Sequence, residues 1–398
     1  MKKKFICIIL LLVCIPAMFT GCVKTAENED ADVINNGAIN IGVLLSNSSV
    51  ASDISKGLSF AHSLANTIIL GDNIKVNISE MHYNDVNDVV SAAEKLVAQS
   101  VSSIIFYGDS PEISKKFEEF IGSYKTPVVS INPTNETVEN IFSIGISPMY
   151  VSSCAATYAL EKNYSSCALI LEASDDYYSD FTQTYKSTLY NYCGVEPTVY
   201  YVNGEHANYT PSLLCSGNYE YVLLNCNSQN REDIVLNLRN AGFSGEIMLT
   251  EMFDKSSVSS DIFNNCSFIS KLEEDSSNNI STVFYSMYSE FSGVNQDKIN
   301  AAASYGYDAY MVIFEALKSF SPNSGNYFFD ETTKASESCS EIKQSDLSKA
   351  IMGITYYGVT DKITFSENRS VPTYIYVDNI INGEVVFANK YTFSSAEH

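Results

Sequence analysis

Residues 39–64, INIGVLLSNSSVASDISKGLSFAHSL, hold the unit that decides the fold. Residues 39–45 form a β-rich run, which predicts a buried strand. The polar loop Ser46–Ser49 follows, and from Asp53 to Leu64 apolar residues recur at the spacing of a helix. A strand that leads through a short polar loop into a helix is the repeating unit of parallel α/β sheets.

The same alternation continues towards the middle of the chain. Residues 74–78 have strand periodicity, and residues 85–98 carry apolar side chains in steps of three and four, which make one helical stripe. Residues 102–107 and 127–131 predict strands on either side of a helix at 112–121. Strict alternation with short loops predicts a parallel sheet with helices on both faces, which is a doubly wound lobe.

A second block repeats this arrangement and predicts a second doubly wound lobe. Its helices are predicted at 151–161, 179–192 and 231–241, and its strands at 168–171, 198–202, 221–225 and 246–250. Beyond it come predicted helices at 300–320 and 345–352 and predicted strands at 362–365, 373–377 and 384–391, with a turn at Asn382-Gly383. The fold class that follows is α/β, with two doubly wound parallel-sheet lobes.

The N-terminus has the layout of a secretory signal. Lysines precede an almost wholly apolar run from Phe5 to Met18, which is too short for a membrane-spanning helix. The run ends in Phe19–Cys22, which resembles the lipobox of bacterial lipoproteins. We expect a signal peptide at 1–21, lipidation of Cys22 and a flexible acidic tether over 22–37. The alternative is an ordinary cleaved signal with a cysteine there by chance.

Composition narrows the function classes. The 398 residues carry 47 acidic and 24 basic side chains, and the net charge of −23 excludes nucleic acid as a partner because phosphates demand a basic face. The length predicts two domains, and no second stretch reaches ~18 uninterrupted apolar residues, so no further membrane span is expected. Of the ten cysteines, Cys154, Cys167 and Cys226 lie in apolar or small-residue contexts and are expected to be buried thiols.

The sequence offers little for catalysis. Its four histidines, His62, His82, His206 and His398, have no partner at metal-ligand spacing. The sequence also lacks a nucleophile elbow, a phosphate loop and a dinucleotide fingerprint. We therefore expect a binding protein that is not an enzyme and that holds no metal and no cofactor.

In doubly wound sheets, ligands bind outside the carboxyl ends of the strands. The loops at those ends are rich in Ser, Asn, Thr, Tyr and acidic residues, which favours a ligand site, although loops are polar in general. They are predicted at 46–52, 108–111, 132–135, 175–178, 225–228 and 251–254.

Four pieces of sequence, in their order and spacing, resemble one family. They are Ile39–Leu45, Ala92–Val97, Tyr307–Ala309 and Gly358–Phe365. Over the whole mature body, the chain resembles the leucine/isoleucine/valine-type substrate-binding proteins of ABC importers, which have the type I periplasmic-binding fold. The resemblance implies two lobes that are joined by three hinge crossings and that close on an amino acid.

The resemblance also implies where the chain passes between the lobes. The crossings are expected near Ile146, between about Phe268 and Ser281, and near Ile354. The first lobe would then contain residues 38–146 and 275–354, and the second lobe residues 147–274 and 355–398.

Ligand contacts in the first lobe follow from the resemblance by position. Ser110 matches a serine that holds the α-carboxylate of the ligand. Residues 130–135 match the family segment that grips the backbone end of the amino acid, which puts Thr134 on the zwitterion and the backbone of Asn132 on the α-ammonium group. Hydroxyls and free N–H groups at a strand-to-helix turn suit a carboxylate, but Thr134 could instead cap its own helix.

Ligand contacts in the second lobe follow in the same way. Residues 176–178 match the family's Asp-Tyr-Gly, so Tyr177 would stack over the ligand. Glu251, directly after a predicted strand, falls where the family places an acid against the α-ammonium group. The alternative is that Glu251 is a solvated loop acid. Tyr307 could lend a further side chain from the first lobe.

The chain departs from the family pattern around the side chain of the ligand. The loop that contains Ser48 lacks the family's Thr-Gly-Pro, Ile131 replaces a proline, and Asn227 stands where an aromatic residue is common. Ser48 and Asn227 are therefore assigned to the side-chain pocket, and a polar amino acid fits the sequence as well as leucine does.

The sequence thus predicts a monomeric, extracytoplasmic lipoprotein that is anchored to the cell membrane at Cys22. It would capture a small ligand, an amino acid, and deliver it to an ABC permease. A ligand-sensing lipoprotein that signals to a membrane partner would show the same features, and the sequence leaves both functions open.

Overall fold

The computed structural model of the chain contains two parallel sheets with helices on both faces of each. It describes residues 30–35, 37–65, 74–133, 138–172, 179–226, 228–250, 261–270, 279–320, 342–371 and 373–393.

The first sheet is built from the N-terminal part of the chain. Its strands are β1 (Ile34–Asn35), β2 (Ala38–Ser46), β3 (Lys75–Tyr83), β4 (Ser103–Phe106), β5 (Val128–Ser130) and β6 (Ile141–Ser143). The helices between them are α1 (Ser49–Ala65), α2 (Asp88–Ala98) and α3 (Pro111–Ile121). The strand order is β3-β2-β4-β5-β6 with all neighbours parallel, and β1 pairs antiparallel with the start of β2.

The second sheet follows in the chain. Its elements are α4 (Pro148–Glu161), β7 (Cys167–Leu171), α5 (Ser179–Cys193), β8 (Thr198–Tyr201), α6 (Pro211–Ser216), β9 (Tyr221–Asn225), α7 (Ser228–Asn240), β10 (Glu246–Leu249) and β11 (Cys266–Ser270). The parallel strands are ordered β8-β7-β9-β10-β11.

The chain then returns to the first sheet before it ends on the second. The returning elements are α8 (Asn279–Ser292), α9 (Ala302–Lys318), α10 (Gln344–Met352), β12 (Thr355–Tyr357) and β13 (Lys362–Thr364). Last comes the hairpin of β14 (Thr373–Ile381) and β15 (Glu384–Phe393), which extends the second sheet antiparallel to β11. Asn382 and Gly383 both have positive φ, at 54° and 79°, which confirms the predicted hairpin turn.

Both lobes have the same topology, and the predicted fold class is confirmed. Numbered within its own lobe, each run of five parallel strands is ordered 2-1-3-4-5, the order of a doubly wound sheet. Separate apolar clusters cover the two faces of each sheet. Cys154, Cys167 and Cys226 are buried and free, as the sequence predicted.

Buried residues on either side of the predicted first and last crossings belong to identifiable lobe cores. Ile144 packs in the core of the first lobe and Ile146 in that of the second, so the chain crosses between them. Ile363 and Val371, which follow the predicted boundary at 354, are buried in the core of the first lobe. The second predicted crossing falls mostly on residues outside the described stretches.

A buried carboxylate holds the segment before β13 against α9. Asp308 on α9 is fully buried and accepts hydrogen bonds from the backbone N–H of Thr360 at 2.7 Å and from its hydroxyl at 2.6 Å. The N–H of Val359 donates to the same carboxylate at 2.9 Å. Because a buried carboxylate requires such donors, the segment before β13 stays with α9 in the first lobe.

Helices α1 and α9 touch backbone to backbone. A Cβ atom at Gly57 would lie 1.9 Å from the carbonyl oxygen of Ala303, and one at Gly306 would lie 2.0 Å from that of Ile54. Any side chain at either glycine must therefore push the helices apart. Helix α1 precedes the second lobe in the chain and α9 follows it. This contact therefore joins the two parts of the first lobe between which the second lobe is inserted in the sequence.

Gly57→Ala and Gly306→Ala are each expected to lower the free energy of unfolding by about 2 kcal/mol. Overpacking of an interior costs ~1–3 kcal/mol, more where the obstacle is backbone, and alanine regains at most ~1 kcal/mol of helix propensity. Denaturant unfolding measures the loss. Ser59→Ala, at an exposed position of α1, is the control and should change stability by less than ~0.5 kcal/mol. Glycine variants as stable as this control would contradict the backbone contact.

Candidate ligand-binding site

The strand order creates a crevice at the carboxyl edge of each sheet. In the first sheet, α1 leaves β2 towards β3, whereas α3 leaves β4 in the opposite direction towards β5. Where neighbouring connections diverge in this way, the loops part and leave a cleft that suits a ligand. The loops that begin at Asn47 and at Tyr107 border this crevice, and β7 and β9 are the corresponding strands of the second sheet.

The loop after β2 caps a helix. Ser48 is half-buried, and its Oγ accepts a hydrogen bond from the backbone N–H of Ala51 at 3.2 Å. The Oγ atoms of Ser46 and Ser48 lie 2.8 Å apart, which ties the cap to the last residue of β2. The N-terminus of α1, with its partial positive charge, therefore lies at the crevice.

The loop after β4 is held by a buried tyrosine from β3. The hydroxyl of Tyr83 donates to the backbone oxygen of Tyr107 at 2.9 Å and accepts from the backbone N–H of Asp109 at 3.2 Å. Burial raises the pKa of Tyr83, and the negative charge of Asp109 raises it further, so the hydroxyl stays protonated. Ser110 then begins α3, where its Oγ accepts from the N–H of Ile113 at 3.4 Å.

Asn132 couples the loops of three adjacent strands. Its Oδ1 accepts from the backbone N–H of Gly108, after β4, at 2.6 Å. Its backbone oxygen accepts from the hydroxyl of Ser143, at the end of β6, at 2.9 Å. Gly145 packs on the same turn, since a Cβ atom there would lie 2.5 Å from the carbonyl oxygen of Ile131. Residues 131–133, which directly follow β5, are thus held by contacts with the loops of the neighbouring strands.

Three of the sequence-predicted site residues come together at this edge. Ser48, Ser110 and Asn132 follow the adjacent strands β2, β4 and β5. A serine that caps a helix accepts through its oxygen, so its hydroxyl proton can turn to an anion, in the case of Ser48 by leaving the hydrogen bond that it shares with Ser46. Two such hydroxyls beside two helix N-termini favour the carboxylate of a ligand.

Tyr307 lies elsewhere in the first lobe. The centre of its ring is 5.8 Å from that of Phe60 on α1 and 5.1 Å from that of Phe284 on α8. Its hydroxyl is hydrogen-bonded to that of Tyr356. These neighbours form an aromatic cluster between helices, so the structure does not bring Tyr307 into the loops at the strand ends.

The remaining predicted site residues lie outside the described stretches. They are Thr134, Tyr177, Asn227 and Glu251, together with the predicted lipidation site Cys22. Asn227 directly follows the buried Cys226, and Glu251 directly follows the buried Thr250. Their roles stay predictions.

Sequence reasoning missed Glu172 at the edge of the second sheet. This residue comes directly after β7, and its Oε1 accepts from Nδ2 of Asn203 at 3.0 Å and from Nδ2 of Asn230 at 2.6 Å. The amides belong to the loop after β8 and to the first turn of α7. A carboxylate immediately after an apolar strand was the available signal, but the predicted ligand loop began three residues later, at Asp175.

Arg231 supplies a buried positive charge at the same edge. It lies in the first turn of α7, is 8% exposed, and donates from Nη2 to the backbone oxygen of Cys226 at 3.2 Å. Burial raises the pKa of the Cys226 thiol, the carboxylate of Glu172 raises it further, and Arg231 lowers it. Charges of both signs therefore lie close to this loop.

The fold is similar to that of solved substrate-binding proteins of ABC transporters. The leucine-binding protein LivK of Thermotoga maritima has a TM-score of 0.72 at 17% identity, and the similarity covers 89% of this chain and 99% of that one. LivJ of Streptococcus pneumoniae, solved with isoleucine, has a TM-score of 0.73 at 15% identity, with coverage of 89% and 99%. A solute-binding protein from R. palustris, solved with benzoate, has a TM-score of 0.72 at 10% identity, with coverage of 90% and 98%.

These similarities define the class of the molecule as a two-lobed protein of the type I periplasmic-binding fold. No protein-family model matches the sequence, and a sequence search among curated proteins gives no match. Among the described residues, no helix is long and apolar enough to cross a membrane, and no group of three His, Cys, Asp or Glu side chains could hold a metal ion.

Asn132→Ala is expected to lower the free energy of unfolding by about 1–2 kcal/mol, because the buried N–H of Gly108 loses its side-chain acceptor. Denaturant unfolding without ligand measures the loss. Asn47→Ala is the matched control, since its amide is hydrogen-bonded to Asn84 at the exposed surface, and it should cost less than ~0.5 kcal/mol. Equal losses in the two variants would show that the Asn132–Gly108 bond does not organise the loops.

Proposed function

We propose that this protein is an extracytoplasmic solute-binding protein that captures an amino acid between its lobes and delivers it to an ABC permease. The observation that carries the proposal is the pair of helix-capping serines, Ser48 and Ser110, at the crevice of the first sheet. Isoleucine and benzoate, the molecules bound in two of the similar structures, share a carboxylate, which is the group that these hydroxyls suit. The proposed role is binding, without catalysis.

The ammonium group of an amino acid needs an acceptor, and we assign this role to Glu251. A carboxylate in a closed cleft is costly unless it is paired, and the ligand cation would pair it. Tyr177 would stack over the ligand from the same lobe. Thr134 and the backbone of Asn132 would complete the grip on the zwitterion in the first lobe.

The side chain of the ligand would lie near Ser48 and Asn227. Glu172 and Arg231 put charges of both signs at the edge of the second sheet, which favours a polar amino acid over leucine. Tyr307 is not included in the proposed site, because its ring packs in the aromatic cluster.

The proposed motion is hinge closure of two lobes. The first lobe would contain residues 38–146 and 275–371, and the second residues 147–274 and 372–398. This division moves the last predicted boundary to the position that the burial of Val371 supports. The ligand would be enclosed where the carboxyl edges of the two sheets meet.

Glu251→Gln is expected to weaken amino-acid binding by ~2–5 kcal/mol, because a buried ammonium group loses its counter-charge. Thr134→Ala is expected to cost about 1.5–3 kcal/mol, through the loss of hydrogen bonds to a charged group. Isothermal titration calorimetry against free amino acids, their amides and their decarboxylated amines measures both effects and shows which ends of the ligand are recognised.

Glu94→Gln, an exposed acid on α2, removes the same charge far from the loops and should leave affinity unchanged. Equal affinity for an amino acid and its decarboxylated amine would rule out a carboxylate site. Unchanged affinity in Glu251→Gln would mean that the ammonium group is held elsewhere.

We further propose that Cys22 carries the lipid that anchors the protein to the outer face of the cell membrane. Cys22→Ala is expected to move the protein from the membrane fraction to the soluble fraction, because the variant lacks the two or more acyl chains that hold the protein at the membrane. Its thermal unfolding should not change. Cell fractionation and immunoblotting measure the distribution, with Cys193→Ala, at an exposed cysteine of α5, as the control. Membrane association that survives in Cys22→Ala would refute the anchor.

A further inference from the structure

Glu172 lies where the connections of the second sheet diverge. Helix α5 leaves β7 towards β8, whereas α7 leaves β9 towards β10, so a crevice opens between β7 and β9. Glu172 directly follows β7, and its carboxylate accepts from the amide of Asn230 in the first turn of α7 at 2.6 Å. This hydrogen bond therefore spans the crevice, from the end of one strand to the helix that follows the other.

The side chain of Glu172 is held from both sides of its strand. On the side of β8, the backbone N–H of Asn203 donates to the backbone oxygen of Glu172 at 2.8 Å, and the amide of Asn203 donates to Oε1 at 3.0 Å. On the side of β9, the amide of Asn230 donates to the same Oε1. Both side-chain donors are neutral amides, so they position the carboxylate and leave its negative charge in place.

Two charges of opposite sign act at this crevice, and the negative one has the larger effect at the end of β9. Arg231, also in the first turn of α7, is buried and donates to the backbone oxygen of Cys226. Burial is the main reason that the pKa of the Cys226 thiol is raised, and Glu172 raises this pKa by more than Arg231 lowers it. The two side chains together therefore make the potential at the thiol negative.

The positive end of α7 is matched by the same carboxylate. A helix of 13 residues carries a partial positive charge at its N-terminus, which suits an anion. Glu172 is bound to the first turn of α7 through Asn230, so an acid of the protein already serves this helix end. In the first lobe, by contrast, the helices at the crevice begin with the hydroxyls of Ser48 and Ser110.

We propose that Glu172 is a specificity-determining residue that makes the site reject amino acids with an acidic side chain. The proposal rests on the proposed function, in which the α-carboxylate is held in the first lobe and the side chain lies near Asn227, directly before α7 in the sequence. An acidic side chain would then bring a second carboxylate close to that of Glu172 in a closed cleft, where like charges repel strongly. The substrate class that follows is an amino acid with a neutral polar or positively charged side chain.

The charge of the whole chain acts in the same direction. Its 47 acidic and 24 basic side chains produce a field that opposes the approach of an anionic ligand and favours that of a cation. This general effect would persist after the removal of any single acid. A selectivity that depends on Glu172 must instead be lost with that one side chain.

Isothermal titration calorimetry at about pH 7 tests the proposal with two pairs of ligands, glutamine with glutamate and asparagine with aspartate. The members of a pair share their shape and differ in side-chain charge, and weak ligands are measured by displacement of a tighter one. Each acid is expected to bind at least ~10-fold more weakly than its amide, because its side chain meets a like charge.

Glu172→Gln is expected to reduce this preference for the amide at least ~5-fold. The variant keeps an oxygen that can accept from Asn203 and Asn230, so it should fold, which thermal unfolding checks. A residue that only positioned the loops would change the affinities for both members of a pair by the same factor. Glu196→Gln is the matched control, since it removes the same charge from an exposed position before β8, at the opposite edge of the same sheet. It should leave the preference unchanged.

Acids that bind as tightly as their amides would overturn the proposal and would indicate that Arg231 pairs with an acidic side chain. A preference in Glu172→Gln as large as that in the parent would show that Glu172 does not determine it. Both results leave the capture of amino acids intact. If no free amino acid binds at all, the proposed function fails, and the specificity proposed for Glu172 fails with it.

Discussion

The rest of the structure depends on the close crossing of α1 and α9. Gly57 and Gly306 let the two backbones meet, so that a helix that follows the second lobe packs against one that precedes it. The N-terminus of α1 is capped by Ser48 at the ligand crevice, and α9 carries Asp308, which holds the segment leading to the last crossing. One helix pair thus sets where the first ligand loop lies and where the chain leaves the first lobe.

The carboxyl edges of the two sheets differ in the side chains that organise their loops. In the first lobe, Tyr83 and Asn132 fix the described parts of the loops through hydrogen bonds within the protein. A site ordered beforehand gives up less conformational entropy on binding. In the second lobe, Glu172 and the buried Arg231 place charges of both signs near the loops after β7 and β9. The first edge would therefore recognise the common carboxylate, and the second would discriminate among side chains.

The fold could be predicted because apolar residues recur at helical spacing along long elements such as α2 and α9. Ser48, Ser110 and Asn132 could be placed at strand ends because the rule for ligand loops is topological. The contacts that hold the segment before β13 and organise the loops could not be predicted, because they join distant residues: Asp308 and Thr360 are 52 residues apart, and Asn132 and Gly108 are 24 apart. β6 and β12, of three residues each, are too short to show a period, and the neighbours of Tyr307 depend on how helices cross.

Because the second lobe is inserted in the sequence of the first, the two lobes differ in how much chain must be made before their contacts can form. Strands β7 to β11 and their helices are consecutive in the chain, so the contacts among them span shorter stretches of sequence than the contact of α1 with α9 does. The first lobe must bring α1 to α9 across the whole inserted lobe, and closing so large a loop is slow. During synthesis, the strands made first keep an apolar face uncovered until α9 has emerged. The first lobe thus completes its core only after the inserted lobe has been made, and the second lobe waits in turn for the C-terminal hairpin, whose Ile375 and Val377 are buried in its core.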